Sequence, residues 1–535
     1  MTMEMNQQHP QSQFPPGTIL LEDRLDSGTR FLRSPVPSAD PNDPLNWSPF
    51  RKAVNFGLAC FYVLFTFVLL DIQSIAYQGY TEELHLSYQT LNDASAANFA
   101  GLALGCILFI PLVHKYGRRP IYILSSAVQF AMGIWSAKVQ TGGELVAINL
   151  IMGLGGALSE TITMITIVDL FFVHQHARMN AIFLFMQTLG ATGGPISAGY
   201  IAVAEGWRWI WWWTAIFLGT NFVAVLLFFE ESKFVPTAVD QGLNMTRGDI
   251  TEGQSKGTIE ENENVTEGLK PVSSLVTEYS KKSLTKRLAF VTKTDIPIKR
   301  HFYQPLLAFF IFPAVTFTAL TYGLLLAWFA IISSAGSYFL LDPPYNFSPA
   351  NIGLFHLAGF IGATIGAVVG GSGSDWAIVR ASQRNCGIFE PEMRLWMSIP
   401  GSVFACAGIL LFGIGLGEGL PWIILAVGTA IFGFGFIITA DIALTYLTDS
   451  YPDILGDALV AVVFVRNGIS MIIKFVFTPW IDKLGIRDTF VCVGMLSLLA
   501  FFMPLPLMFW GKKARSKTAA KYVQFANQQP VRRHP

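Results

Sequence analysis

The chain has 535 residues and no formal net charge, and only 13% of it is charged, where soluble domains run to about a quarter. Hydrophobic residues make up 52% and the mean hydropathy is +0.46, so an ordinary water-soluble fold is excluded. The zero total offers nothing to a polyanionic partner such as nucleic acid, while 44 Phe and 13 Trp suit a surface that meets lipid.

Residues 1–52 are polar and Pro-rich with no apolar core, which predicts a disordered cytosolic segment without a cleavable signal peptide. A hydrocarbon layer about 30 Å thick needs roughly 20 apolar residues in a helix. By that measure six spans are expected near 53–75, 93–113, 120–138, 144–168, 179–204 and 208–230, a first bundle over 53–230. The polar segment 231–303 is acidic first (Glu252, Glu260, Glu261, Glu263) and basic later (Lys281, Lys282, Lys286, Arg287). It reads as a disordered cytosolic tether, with a basic patch at 279–300 resting on anionic lipid as the alternative. Six more spans are expected near 305–335, 350–373, 396–416, 420–446, 458–480 and 488–510, a second bundle over 304–510. A polar cytosolic tail closes the chain at 511–535. The fold class is thus an all-α membrane protein of twelve transmembrane helices.

Orientation comes from the basic residues, which collect on the cytosolic side of membranes. With the amino terminus in the cytosol, 30 of the 36 Lys and Arg fall in cytosolic segments, and both termini are cytosolic. The loop between spans ten and eleven carries only Asp449, Asp453 and Asp457 and is the weak point of that count. The five cysteines show no CxxC and no metal-ligand spacing, so neither a metal site nor a redox pair is expected. No cofactor is implied.

The turn after span two contains Gly117-Arg118-Arg119-Pro120, where the glycine permits a tight bend. The guanidinium groups can cap helix ends and bind carboxylates, or serve only as positive-inside anchors. Asp169, at the cytosolic end of span four, is the expected partner of Arg118 or Arg119. The turn after span eight echoes the first with Gly371-Ser372-Gly373-Ser374-Asp375, Arg380 and Arg384, which suggests a parallel repeat of the two halves. Along span four, Asn149 and Glu160 differ by only about 20° in azimuth on a continuous helix, with Gly153 and Gly156 near the same stripe. That face reads as a polar groove. A carboxylate at such depth is a functional group, or else one half of a buried structural pair.

Span five carries Gly190-Ala191-Thr192-Gly193-Gly194-Pro195-Ile196-Ser197-Ala198-Gly199, a kinked helix built for close packing. Trp207, Trp209 and Trp211 to Trp213 open span six as an interfacial belt. Asp441 in span ten and Arg466 in span eleven are placed for a buried pair, either a gating bridge or structural glue. Lys474, further along span eleven, has Asp71 at the end of span one as its candidate partner, or else snorkels to the interface. His356 in span eight could titrate. Asn346-Phe347-Ser348 is a glycan acceptor in an outer loop, weakened by Pro349.

Together these segments resemble the major facilitator superfamily, in its fungal branch of drug:proton antiporters and secondary-metabolite exporters. The resemblance rests on Asp43-Pro44-Leu45-Asn46-Trp47-Ser48, Gly117-Arg118-Arg119-Pro120, Asp169-Leu170-Phe171-Phe172-Val173-His174, the span-five run, Trp207-Arg208-Trp209 and Pro391-Glu392-Met393-Arg394-Leu395-Trp396. It covers roughly residues 40–512. The resemblance implies two pseudo-symmetric six-helix bundles around a cavity open alternately to each side, and export driven by protons. Two positions depart from the branch: His114 stands for the usual acidic residue of the first cytosolic turn, and Asn149 for the usual buried arginine of span four. Glu160 is then the candidate proton site.

The function expected is secondary export of a small organic molecule, with Glu160, Asn149, Asp71, Lys474 and His356 as candidate substrate or proton contacts. Gly117, Arg118, Arg119, Asp169, Gly190, Gly194, Pro195, Gly199, Asp375, Asp441 and Arg466 are the gating and packing set. A proton-coupled importer of a nutrient or organic cation is the alternative, and a transport-deficient sensor a third. No nucleophile–base set argues for an enzyme. The expected protein is a plasma-membrane monomer whose partners are its substrate, protons and lipid.

Overall fold

The computed structural model describes residues 15–20, 40–159, 161–234, 287–288, 298–385 and 388–527. Span one, Pro49–Asp71, starts at Ser48, whose hydroxyl accepts the Arg51 N–H, with Pro49 in the first turn where no N–H is needed. Span two, Tyr88–Tyr116, and span eight, Pro349–Arg384, start the same way at Ser87 and Ser348. Span three is Arg119–Ala137, span five Val173–Glu205 and span six Trp207–Phe228. Span seven, Pro313–Phe339, comes after a helix at Ile298–Ile311; span nine is Ser398–Gly417 and span ten Trp422–Ser450.

Among the described residues nine stretches are long and apolar enough to cross a bilayer. One of them, Pro452–Ala526, holds two spans, because Gly485 at φ 79° breaks the helix Leu455–Phe502. The rings of Phe477 and Phe490 on either side of the break meet at 5.8 Å, so the chain reverses there. Arg119–Ala137 and Val173–Glu205, less apolar, pack among the others as spans three and five and complete the twelve.

Spans one to six share two apolar cores, and spans seven to twelve share two more. Large apolar side chains left outside, such as Phe185, Val368 and Phe509, form the belt that lipid would cover. We call the face holding the start of span one and the end of span twelve the terminal face, and the opposite one the distal face.

Three local outcomes differ from expectation. Span four is not one helix but two, Gly142–Gly156 and Thr161–Leu170. Glycines at 153, 155 and 156 weaken the helix, and the Ser159 hydroxyl donates to the Gly156 carbonyl (2.9 Å) at the break. Span twelve continues into the expected polar tail as the helix Pro504–Ala526, where Tyr522 and Phe525 are buried against Tyr451 and Phe312. The amino-terminal segment holds structure in both of its described parts. Ile19–Leu20 forms strand β1, antiparallel to β2 at Ile388–Phe389, with Ile19 opposite Phe389. Pro44–Asn46 forms a turn of helix capped by Asp43, and Lys52 Nζ donates to the Leu45 carbonyl (3.0 Å).

Candidate transport path and its gates

At the terminal face Gly117 takes φ +104°, which ends span two and lets the next two N–H groups point one way. Arg118 and Arg119 donate those N–H groups to the two Glu231 carboxylate oxygens, at 2.9 and 3.1 Å. A side chain at Gly117 would collide with that carboxylate. Arg118 Nε lies 2.9 Å from Asp169 Oδ2, so of the two arginines it is Arg118 that meets the end of span four. Arg119 instead donates to the carbonyls of Phe229 (2.8 Å) and Leu226 (2.9 Å), capping span six. Lys233 Nζ caps span two through the His114 carbonyl (2.6 Å) and the Lys115 carbonyl (3.2 Å).

The second half repeats this corner, but not through the expected residues. Gly371 to Arg384 remain inside the span-eight helix and make no turn. The counterpart of Arg118–Asp169 is Arg394–Asp449 (2.5 Å), from the segment before span nine to the end of span ten. Beside it Arg515 donates to Glu392 at 2.9 and 2.6 Å, both side chains nearly solvent-free. Arg515 also holds the Pro16 carbonyl of the amino-terminal segment. The side chain of Asp375 lies outside the described residues.

The expected groove on span four is a packing seam. Asn149 is buried, and its amide donates to Leu145 O (2.9 Å) in its own helix. Gly153 packs on the backbone of Asn98 and Leu102 in span two, and Gly156 on Leu70 and Thr66 of span one. Glu160 itself lies outside the described residues.

A cavity of about 890 Å³ opens between the terminal halves of spans one and five and the Pro44–Trp47 turn. Trp47, Phe56, Phe61, Phe171, Phe172, Met179 and Met186 form its walls; Asn46, Lys52 and Gln175 supply its polar groups. Lys52 also sits 5.1 Å from the Phe172 ring.

The distal face is closed across the two bundles. Gly199 of span five lets the Pro349 carbonyl and Ala350 of span eight approach, and Gly353 of span eight admits the Pro195 carbonyl in return. Gly190 and Gly194 face Leu64 and Val68 of span one. Tyr88 and Tyr338 stack at 4.2 Å. Behind them Asn92 of span two accepts, through Oδ1, the Ser334 hydroxyl (2.8 Å) and Lys474 Nζ (3.3 Å), and donates from Nδ2 to Thr478 (2.8 Å).

Lys474 therefore neither snorkels nor meets Asp71. It is 2% exposed and its described partner is an amide. Asp71 is half-buried with no ion pair among the described residues. Asp441 is exposed, and Arg466 is buried with its guanidinium 4.8 Å from the Tyr322 ring. His356 is half-buried in span eight, and Asn346 is exposed at φ 49° in the span seven–eight loop. Sequence reasoning missed Asn92, Ser334 and Thr478, since an isolated amide or hydroxyl in an apolar helix has no distinguishing pattern. It also missed Glu231, Glu392 and Arg515, whose partners are more than a hundred residues away.

Comparison with known proteins matches residues 56–473 to the family model described as Major Facilitator Superfamily. An uncharacterised MFS-type transporter of Schizosaccharomyces pombe is 31% identical over 96% of this chain and 94% of its own length. Protein HOL1 of Saccharomyces cerevisiae is 27% identical, covering 95% and 94%. The probable efflux pump mfs2 of Aspergillus flavus is 24% identical, covering 82% and 98%. Among solved structures, the partially occluded inward-open xylose transporter XylE of E. coli superposes with a TM-score of 0.56 at 12% identity, covering 85% and 98%.

Proposed function

The chain belongs to the major facilitator superfamily, and from that premise we propose that it exports a small amphipathic organic molecule, a drug or secondary metabolite, in exchange for protons. Its family and fold are those of transporters, not enzymes. The observation that carries the reading is the pairing of a closed distal face with an aromatic cavity on the terminal side. Glycines 199 and 353 seal spans five and eight at one end, while the cavity walls at the other are rings and thioethers around a lysine. Such walls suit an apolar body, and Lys52, Asn46 and Gln175 suit a polar head. Relatives named as efflux pumps support the direction. The terminal face is then cytosolic and the membrane the plasma membrane, in keeping with the bias of Lys and Arg.

Glu160 is the coupling carboxylate in this reading, and Glu160→Gln should remove the dependence of transport on pH. The deciding experiment compares accumulation of a metabolite and drug panel in cells with and without the protein, at two external pH values. Lower accumulation with the protein, more so in acid medium, is the expected result. Higher accumulation would reverse the direction to import. Unchanged accumulation of every compound would overturn the transport reading.

A further inference from the structure

We propose that Asn92, Ser334, Thr478 and Lys474 form the latch of the distal gate, and that Lys474 takes up a proton from the distal side when the latch opens. The inference rests on alternating access and adds a second protonation site to it.

The four residues come from three helices in two bundles: Asn92 from span two, Ser334 from span seven, Lys474 and Thr478 from span eleven. Separating the bundles at the distal face must break these bonds. The two lone pairs of Asn92 Oδ1 are taken by Ser334 and Lys474, and its N–H group reaches Thr478. An ammonium would bring three N–H donors and a neutral amine two, and the acceptor recorded for Lys474 Nζ is Asn92 Oδ1 alone, at 3.3 Å.

Among the described residues no charged partner is recorded for an ammonium there. Span seven, packed against span eleven, and span nine, packed against the helix after Gly485, contain no Asp, Glu, Lys, Arg or His. On span two, Asp93 accepts the Gln89 amide (2.7 Å), and His114 and Lys115 lie at the opposite end. On span eleven itself Arg466 lies further toward the terminal face against Tyr322, and Asp482 and Lys483 lie at its distal end. The helix Ile298–Ile311, also packed against span eleven, carries Lys299, Arg300 and His301 on the terminal side. Among the described residues, the phenols of Tyr77 and Tyr88 lie beside Ser334 and Asn92, and Tyr338 stacks on Tyr88. An uncompensated ammonium in this setting is expensive, and opening the gate to water removes the penalty. A proton therefore binds the open form better than the closed form, and by linkage it shifts the population toward open.

The test needs no substrate. Ser337, buried one turn beyond Ser334, is replaced by Cys on a background free of native cysteines, in right-side-out vesicles. Its labelling by a membrane-impermeant maleimide reports distal opening. The parent should label several-fold faster in acid than in alkaline external buffer. Lys474→Met should be slow and indifferent to pH, and Lys474→Arg, charged throughout, fast and indifferent to pH. A pH response retained in Lys474→Met, or labelling in the parent that occurs but ignores pH, would overturn the proton role and leave alternating access standing. Labelling of no variant under any buffer, although the denatured protein reacts, would instead sink the alternating-access reading itself.

Discussion

Gly117 shows what one residue can decide: its positive φ and missing side chain admit the Glu231 carboxylate to the start of span three. Gly117→Ala should lower stability by about 1–3 kcal/mol, read as a fall in melting temperature in detergent. Next to it, burial and then the charge of Arg118 push Lys233 down to about 8 from 10.5. Between those values the folded chain holds fewer protons than the unfolded one, so stability rises with pH through that window, and the penalty is complete below about 8. A melting curve taken against pH should show that rise, and Lys233→Met should flatten it. In the second half, Arg515→Met strands the buried Glu392 carboxylate and should cost about 3–5 kcal/mol. Adding Glu392→Gln should recover most of that loss in the same melting assay.

At the scale of elements, the crossing of spans five and eight holds the distal face shut because two glycines face each other's backbones. Gly199→Leu overpacks that crossing, weakening the closed form by about 1–3 kcal/mol. The labelling rate of a cysteine at Ser337 from the distal side should rise accordingly. Span four gives the contrary lesson. Its glycines read as a groove when the helix is drawn unbroken, yet Gly153 and Gly156 serve close packing, and the chain divides into Gly142–Gly156 and Thr161–Leu170. A helical wheel assumes an unbroken helix and cannot register a turn inside it.

Over the whole molecule, the terminal corner of the first half recurs in the second: Arg118–Asp169 is answered by Arg394–Asp449. Next to these pairs the charges are exchanged, Glu231 capping a turn in one half and Arg515 holding Glu392 in the other. A cysteine placed within 231–303 should react with impermeant reagent only after the cells are opened, since that segment joins two spans at the terminal face. Reaction in intact cells would invert the assignment of sides.

Span number, the midpoint division and the superfamily were legible from sequence because each depends on local composition: apolar runs of bilayer length, and short motifs at helix ends. That Asp169 meets the arginine pair was legible for the same reason, as both motifs sit where spans meet water, while the choice of Arg118 over Arg119 was not. Only the tertiary structure decided that Lys474 meets Asn92 and not Asp71, that Arg394 is the second-half counterpart of Arg118, and that the amino-terminal segment pairs with Ile388–Phe389. Those contacts join residues from 55 to 382 positions apart, and a hydropathy pattern specifies which faces are buried without specifying which partner buries them.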